Sequence, residues 1–285
     1  MHHLILGYGY CGFYLANYLL SLQHPVTAVS RHLDNAFKIR GLKHLKQDIN
    51  EAIAINDNNL IIYYLIPPPA TGIDDTILQE FLQKTALKPA KIIYFGSSAV
   101  YGDHQGAWID EQAPLHLTHD RQYRRLNAEQ QWQAFCREKN IDGVNLRIAG
   151  IYGPDRLPTL AARNQTGIIE PQSAPYTNHI YVKDLAKIAT FLALTPQAKG
   201  VFNIADGNPS PMGSLQQEVA KVLKLPPAPL LSFEQALKEA SPMKREYLQA
   251  SKRLRIDALE TILTPSLSLT PLPQAVSESL AKEEK

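Results

Sequence analysis

The chain has 285 residues, enough for one large domain or one domain with a smaller appendage. Hydrophobic residues make up 45% and charged residues 20%, and 29 basic against 27 acidic residues leave a formal charge of +2, no electrostatic case for a nucleic-acid partner. No apolar run approaches the roughly 20 residues that span a bilayer, no basic leader precedes the apolar start, and Cys11 and Cys136 are the only cysteines, so neither a membrane, nor secretion, nor a disulfide framework is expected and a reducing cytoplasmic setting is.

The first half alternates short apolar runs with amphipathic stretches, the pattern of βαβ units around a parallel sheet. Strands are predicted at His3–Leu6, Pro25–Ser30, His44–Gln47, Leu60–Ile66, Lys91–Gly96 and Gly143–Ile148. Helices are predicted at Cys11–Leu22, Asp74–Leu87 and Arg121–Lys139. The run Leu60–Ile66 is almost wholly apolar, which marks a strand covered on both faces. After Pro154 the segment 155–176 is rich in proline and loops; a helix returns at Val182–Leu194 and a strand at Val201–Ala205. The fold class that follows is α/β, a Rossmann-type doubly wound parallel sheet with a small C-terminal substrate lobe. Residues 1–154 form the dinucleotide-binding domain and 177–206 return to it, while 155–176 and 207–285 form the lobe.

Gly7-Tyr8-Gly9-Tyr10-Cys11-Gly12 is a G-x-G-x-x-G loop that follows a predicted strand and opens a predicted helix. Gly7 permits the tight turn, Gly9 lets backbone approach a pyrophosphate, and Gly12 lets helix and strand pack closely. The helix N-terminus adds free N–H groups and positive potential, which could also lower the Cys11 thiol pKa, though a small buried residue beneath the cofactor is the simpler role. The second strand ends in Ser30-Arg31, where a site selective for NAD(H) places an acidic residue on the ribose 2′-hydroxyl. A hydroxyl and a guanidinium suit a 2′-phosphate instead, so NADP(H) is the expected cofactor and NAD(H) the second choice. Asp48, closing the third strand, is placed near the adenine. Leu65, Ile66, Pro67 and Gly96 end the fourth and fifth strands and complete the cofactor groove.

His116 and His119 lie in a loop without companion ligands, and no metal site is expected. Lys244, Arg245, Lys252, Arg253 and Arg255 are interleaved with Glu246 and Asp257, the pattern of a solvated helix face.

Three further segments carry a resemblance. Lys91-Ile-Ile-Tyr-Phe-Gly-Ser-Ser-Ala-Val-Tyr-Gly102, Leu146-Arg-Ile-Ala-Gly-Ile-Tyr-Gly-Pro154 and Asn178-His-Ile-Tyr-Val-Lys-Asp-Leu-Ala186 resemble the extended short-chain dehydrogenase/reductase family, in particular its NAD(P)-dependent epimerase/dehydratase group. Gly200–Asp206 fits a late strand of that fold, and Ser251-Lys-Arg-Leu-Arg255 looks like a C-terminal family element. The resemblance implies a seven-stranded parallel sheet, a small-molecule substrate such as a nucleotide sugar, a homodimer built on two helices per subunit, and a Ser/Thr, Tyr, Lys catalytic set. The serine position falls on Ser97, four residues before the tyrosine of the Val-Tyr-Gly turn.

The Tyr-x-x-x-Lys pair is absent. Counting from Ser97 suggests Tyr123, but Asn127 then stands at the lysine position; aligning on Glu129-Gln130 puts Arg121 and Arg125 at the two positions. A tyrosine with a pKa of about 10 needs a neighbouring cation to exchange protons near neutrality, and Asn127 brings none. Arg125 could hold ribose hydroxyls but would not itself exchange protons. The expected function is an NADP(H)-binding oxidoreductase or epimerase/dehydratase-like enzyme with a modified catalytic set of Ser97, Tyr123 and Arg125. Its alternative is a catalytically silent NADP(H)-binding redox sensor or regulator.

Overall fold

The computed structural model describes residues 1–55, 57, 59–263 and 267–283. Seven parallel strands form the central sheet: β1 (His2–Leu6), β2 (Val26–Ser30), β3 (Lys43–Lys46), β4 (Leu60–Tyr64), β5 (Lys91–Phe95), β6 (Asp142–Ile148) and β7 (Gly200–Ile204). Their spatial order is β7-β6-β5-β4-β1-β2-β3, so the chain runs outward from β1 to β3 and returns to lay β4 on the other side of β1. That reversal opens a crevice beyond the carboxyl ends of β1 and β4, where doubly wound sheets take their ligands.

Both faces of the sheet are covered, as the continuous apolar strands require. On one face α1 (Tyr10–Ser21) and α4 (Val182–Leu194) pack on Ile5, Ala28, Ile61, Ile93, Leu146 and Phe202. On the other, α2 (Thr76–Lys84) and α3 (Asp120–Lys139) cover Leu4, Leu6, Ile62, Tyr64, Ile92 and Tyr94. Asp75 caps α2 by accepting from the Leu78 N–H at 3.0 Å, and its own N–H donates to Asn127 on α3 at 2.9 Å, so the two helices are tied at one end. Trp132 is buried against Tyr64 and Phe81, so it offers no surface to a partner through α3; Phe135 beside it is half-buried.

Residues beyond Pro154 make short paired segments. Ile168–Ile169 pairs with Leu230–Leu231, and Tyr176–Thr177 with Ser210–Pro211. The C-terminal segment threads back: Arg253–Leu254 pairs with Trp108–Ile109, and Leu254, Ile256, Leu259 and Ala275 enter the main core.

One buried charge pair joins these parts. Arg147 on β6 donates to both carboxylate oxygens of Glu129 on α3, at 2.7 and 3.3 Å, and to the Glu111 carbonyl at 3.2 Å. Its guanidinium lies 4.8 Å from the Tyr101 ring centre, and both partners of the pair are buried. Removing one member leaves the other charge uncompensated. Glu129→Met should therefore lower the unfolding free energy by about 3–5 kcal/mol in urea titrations, and Glu129→Met/Arg147→Met should recover part of it. A single-mutant loss below about 1 kcal/mol would show that the pair does not hold α3 to the sheet.

Candidate active site

The glycine loop adopts the geometry its residues allow. Gly7 has φ +92°, and a Cβ there would lie 2.7 Å from Ile66 Cγ1 and 2.9 Å from the Ile66 nitrogen. Gly12 sits against Tyr8 and the Gly7 carbonyl, so a side chain would part α1 from the loop. At Gly9, the N-cap of α1, an added Cβ would meet no atom within 4 Å. This open space faces the first-turn N–H groups of α1, which have no intrahelical acceptors, and a pyrophosphate fits that cradle. Tyr10 is pinned from above: its hydroxyl donates to the Pro154 carbonyl at 2.9 Å, and the Arg156 guanidinium lies 4.1 Å from its ring centre. Burial pushes the Cys11 thiol up to about 11, with Arg156 opposing the shift, which favours the thiol over the thiolate at pH 7.

At the end of β2 the Ser30 hydroxyl is engaged. It donates to the His32 carbonyl at 2.6 Å and lies 2.8 Å from His44 Nε2, so its proton is not free for a phosphate. Arg31 next to it is exposed and makes no hydrogen bond or ion pair among the described residues. Asp48 lies past β3, where its carboxylate accepts from the Asn50 N–H at 3.0 Å. Leu65 continues from β4, its N–H donating to the Leu6 carbonyl at 2.8 Å, and Ile66 closes over Gly7; Pro67 follows them. Gly96 leaves room for Asn145, whose Oδ1 lies 2.8 Å from where its Cβ would be.

Beyond β5 and β6 lies a cleft of about 320 Å³. Ser97 and Arg125 line it with Arg121, His179, Tyr247 and Lys252. Ser97 Oγ accepts from the Ala99 N–H at 3.2 Å, which caps the turn Ser98–Tyr101 and leaves its proton to donate. Arg121 is held by Glu246 at 3.0 Å and by the Tyr247 hydroxyl at 3.2 Å. Arg125 is half-buried and makes no hydrogen bond or ion pair among the described residues. Burial drops His179 to about 4, so the ring is neutral at pH 7.

Tyr123 is elsewhere. Its side chain is exposed and its hydroxyl donates to the Leu117 carbonyl at 3.3 Å, outside the cleft lining. On α3 the residues that share the cleft with Ser97 are Gln122 and the pair given by alignment on Glu129, Arg121 and Arg125. The basic cluster read as a helix face is also dispersed: Arg253 stacks between Trp108 and Tyr176, whereas Lys252 is buried in the cleft wall. Sequence reasoning gave no role to Lys252 or His179, although both lie in segments that carry the family resemblance.

A seven-stranded doubly wound sheet with a glycine-loop cradle at its switch point is a Rossmann-type NAD(P)-binding fold. Residues 72–205 match the NAD dependent epimerase/dehydratase family. A functionally unknown conserved protein from Silicibacter pomeroyi DSS has 28% identity, covering 100% of this chain and 99% of its own, with a TM-score of 0.81. The UDP-glucuronic acid 4-epimerase of Bacillus cereus, solved with UDP-glucuronic acid and NAD, superposes with a TM-score of 0.77 at 16% identity, over 100% of this chain and 99% of its own. The UDP-N-acetylglucosamine 4-epimerase of Methanobrevibacter ruminantium M1, in complex with UDP-N-acetylmuramic acid, gives 0.74 at 18% identity over 99% and 98% of the two chains. No curated protein matches the sequence. Over residues 72–205, just under half of the chain, the sequence is similar to the NAD dependent epimerase/dehydratase family, and the full-length likeness to the solved structures is one of fold. No described helix is long and apolar enough to cross a membrane.

The two loop glycines separate fold from ligand. Gly7→Ala should cost about 1–3 kcal/mol of stability, because it forces a side chain into a positive φ against Ile66. Gly9→Ala should stay within about 0.5 kcal/mol of the native chain, since its Cβ meets no protein atom. Thermal unfolding of both variants checks the contrast; equal losses would contradict the geometry.

Proposed function

We propose that the chain binds NADP(H) and works as an oxidoreductase or epimerase/dehydratase-like enzyme with a modified catalytic set. The observation that carries this reading is the open cleft that Ser97, with an available hydroxyl proton, lines together with Arg121 and Arg125, the two positions given by alignment on Glu129-Gln130. A filled apolar cleft would have favoured the silent sensor; this one has room for a small molecule.

The residues would divide the work as follows. The glycine loop and the α1 N-terminus would hold the pyrophosphate, and Arg31 would take the 2′-phosphate without help from Ser30. The bound nicotinamide supplies hydride exchange. Ser97 would donate to the reacting oxygen of the substrate, and Arg125 would fix ribose hydroxyls and supply positive field. Proton exchange then falls to water or another cleft side chain, because neither arginine gives up a proton near neutrality. A nucleotide sugar is one substrate class consistent with the epimerases above, and a homodimer through α2 and α3 remains part of the proposal, to be read by light scattering at micromolar concentration.

Calorimetric titration tests the cofactor assignment. NADPH should bind roughly 10- to 150-fold tighter than NADH, the range of one charged hydrogen bond. Arg31→Ala should erase most of that ratio, Ser30→Ala should leave it nearly unchanged, and Gly9→Ala should abolish both affinities while the chain stays folded. Equal or tighter NADH binding by the native chain would sink the NADP(H) assignment.

A further inference from the structure

We propose that the cleft receives the oxyanion group of a small anionic substrate between Arg125 and Lys252, with Ser97 against the adjoining reacting oxygen. This deepens, and rests on, the reading of the cleft as the active site. The lining of the cleft carries more positive than negative charge. Three cations line the cleft, Arg121, Arg125 and Lys252, against one carboxylate, Glu246, which Arg121 already holds; buried Asp75, outside the lining, acts on Arg125 through space but makes no ion pair with it among the described residues.

Lys252 enters from the C-terminal segment and is 8% exposed. Its Nζ donates to the Gly102 carbonyl at 3.0 Å, at the end of the turn that Ser97 caps, and has no carboxylate within ion-pair distance among the described residues. The nearby Asp103 uses its Oδ1 to accept from the N–H groups of Gln105 and Ser251, at 3.0 and 2.8 Å. A buried ammonium with one neutral acceptor and a half-buried guanidinium with none are costly in an empty protein and natural in an anion site. The space is modest, about 320 Å³, so what it takes between Arg125 and Lys252 is a small oxyanion group such as a carboxylate or phosphoryl.

Burial lowers the Lys252 ammonium to about 8, with the Asp103 carboxylate opposing the shift, so its charge is held at pH 7 and lost as pH rises past that value. The ionisable and charged groups around it are Asp103, His104, Arg121, Arg125, Glu246, His179, Tyr176 and Tyr247. Anion binding that depends on Lys252 must therefore weaken between pH 7 and pH 9.

The test is calorimetric titration of the full chain with malonate, its uncharged analogue malonamide, and inorganic phosphate, at pH 7 and pH 9. NADPH is titrated first and then kept saturating, so that Arg31 and the glycine loop are occupied. At pH 7 malonate or phosphate should bind at least roughly tenfold tighter than malonamide, and the tighter of the two assigns a carboxylate or a phosphoryl group. Arg125→Met should weaken that binding at least roughly tenfold. Lys252→Arg should keep it and lose the weakening at pH 9, a change that a merely structural lysine would not produce; Lys252→Met should lose the binding. Thermal unfolding of each variant identifies any that fails to fold, and Lys252→Arg carries the test if Lys252→Met is one of these. Equal affinity for malonate and malonamide overturns the proposal, as does anion binding that is unchanged in Arg125→Met, or a Lys252→Arg pH dependence like that of the native chain. NADPH bound without any anion removes this inference alone, whereas no NADPH binding removes the functional reading beneath it.

Discussion

The arrangement of the cleft depends on a buried guanidinium. Arg147 cannot be left partly paired away from water, so every group that satisfies it is held in register with the others. Glu129 fixes α3, the Glu111 carbonyl fixes the loop before it, and the Tyr101 ring fixes the turn behind Ser97. The Tyr101 hydroxyl passes the constraint on to Asn203 at 2.7 Å, and Asn203 donates through Nδ2 to the Arg255 carbonyl at 3.0 Å. One charge thus couples α3, β6, β7, the Ser97 turn and the C-terminal segment. These elements carry Arg125, Ser97 and Lys252.

Electrostatics sets the character of the cleft that this scaffold builds. A tyrosine and a lysine would form a proton-exchanging pair; two arginines form a fixed positive field. With His179 held neutral by burial and Glu246 engaged by Arg121, the carboxylate left to offset that field is the buried Asp75, which acts on Arg125 through space. The same desolvation that makes Lys252 expensive as an ammonium brings it closest of the cleft's cations to neutral pH. The sheet and the glycine loop keep the architecture of the solved epimerases, and the charge of the cleft is set by the side chains laid over it.

Much of the fold was legible in the sequence because its signals are local. Strand and helix periods are read over a few neighbouring residues, and each predicted element lies within two or three residues of an observed one. The glycine loop was legible for the same reason: a positive φ at Gly7 and open space at Gly9 are demands on single residues of one turn. The absence of an acidic residue at the end of β2 was equally plain.

What chain order could not decide was which side of α3 faces the cleft. Arg121 and Tyr123 are two residues apart, which turns the side chain by about 200° around the helix. That choice was made by Ala128, Glu129 and Trp132 packing on the sheet, with Arg147 drawing Glu129 inward. Nor could spacing reveal that Ser30 spends its proton on His32, or that Lys252 leaves a run of surface cations to line the cleft, 150 residues along the chain from the carbonyl it binds. The sequence by itself determined the α/β class and the glycine loop between β1 and α1, because these are properties of residues and their near neighbours. The facing of α3, the burial of Lys252 and the charge of the cleft were decided only by the tertiary structure, because burial and electrostatic potential depend on which distant segments pack together.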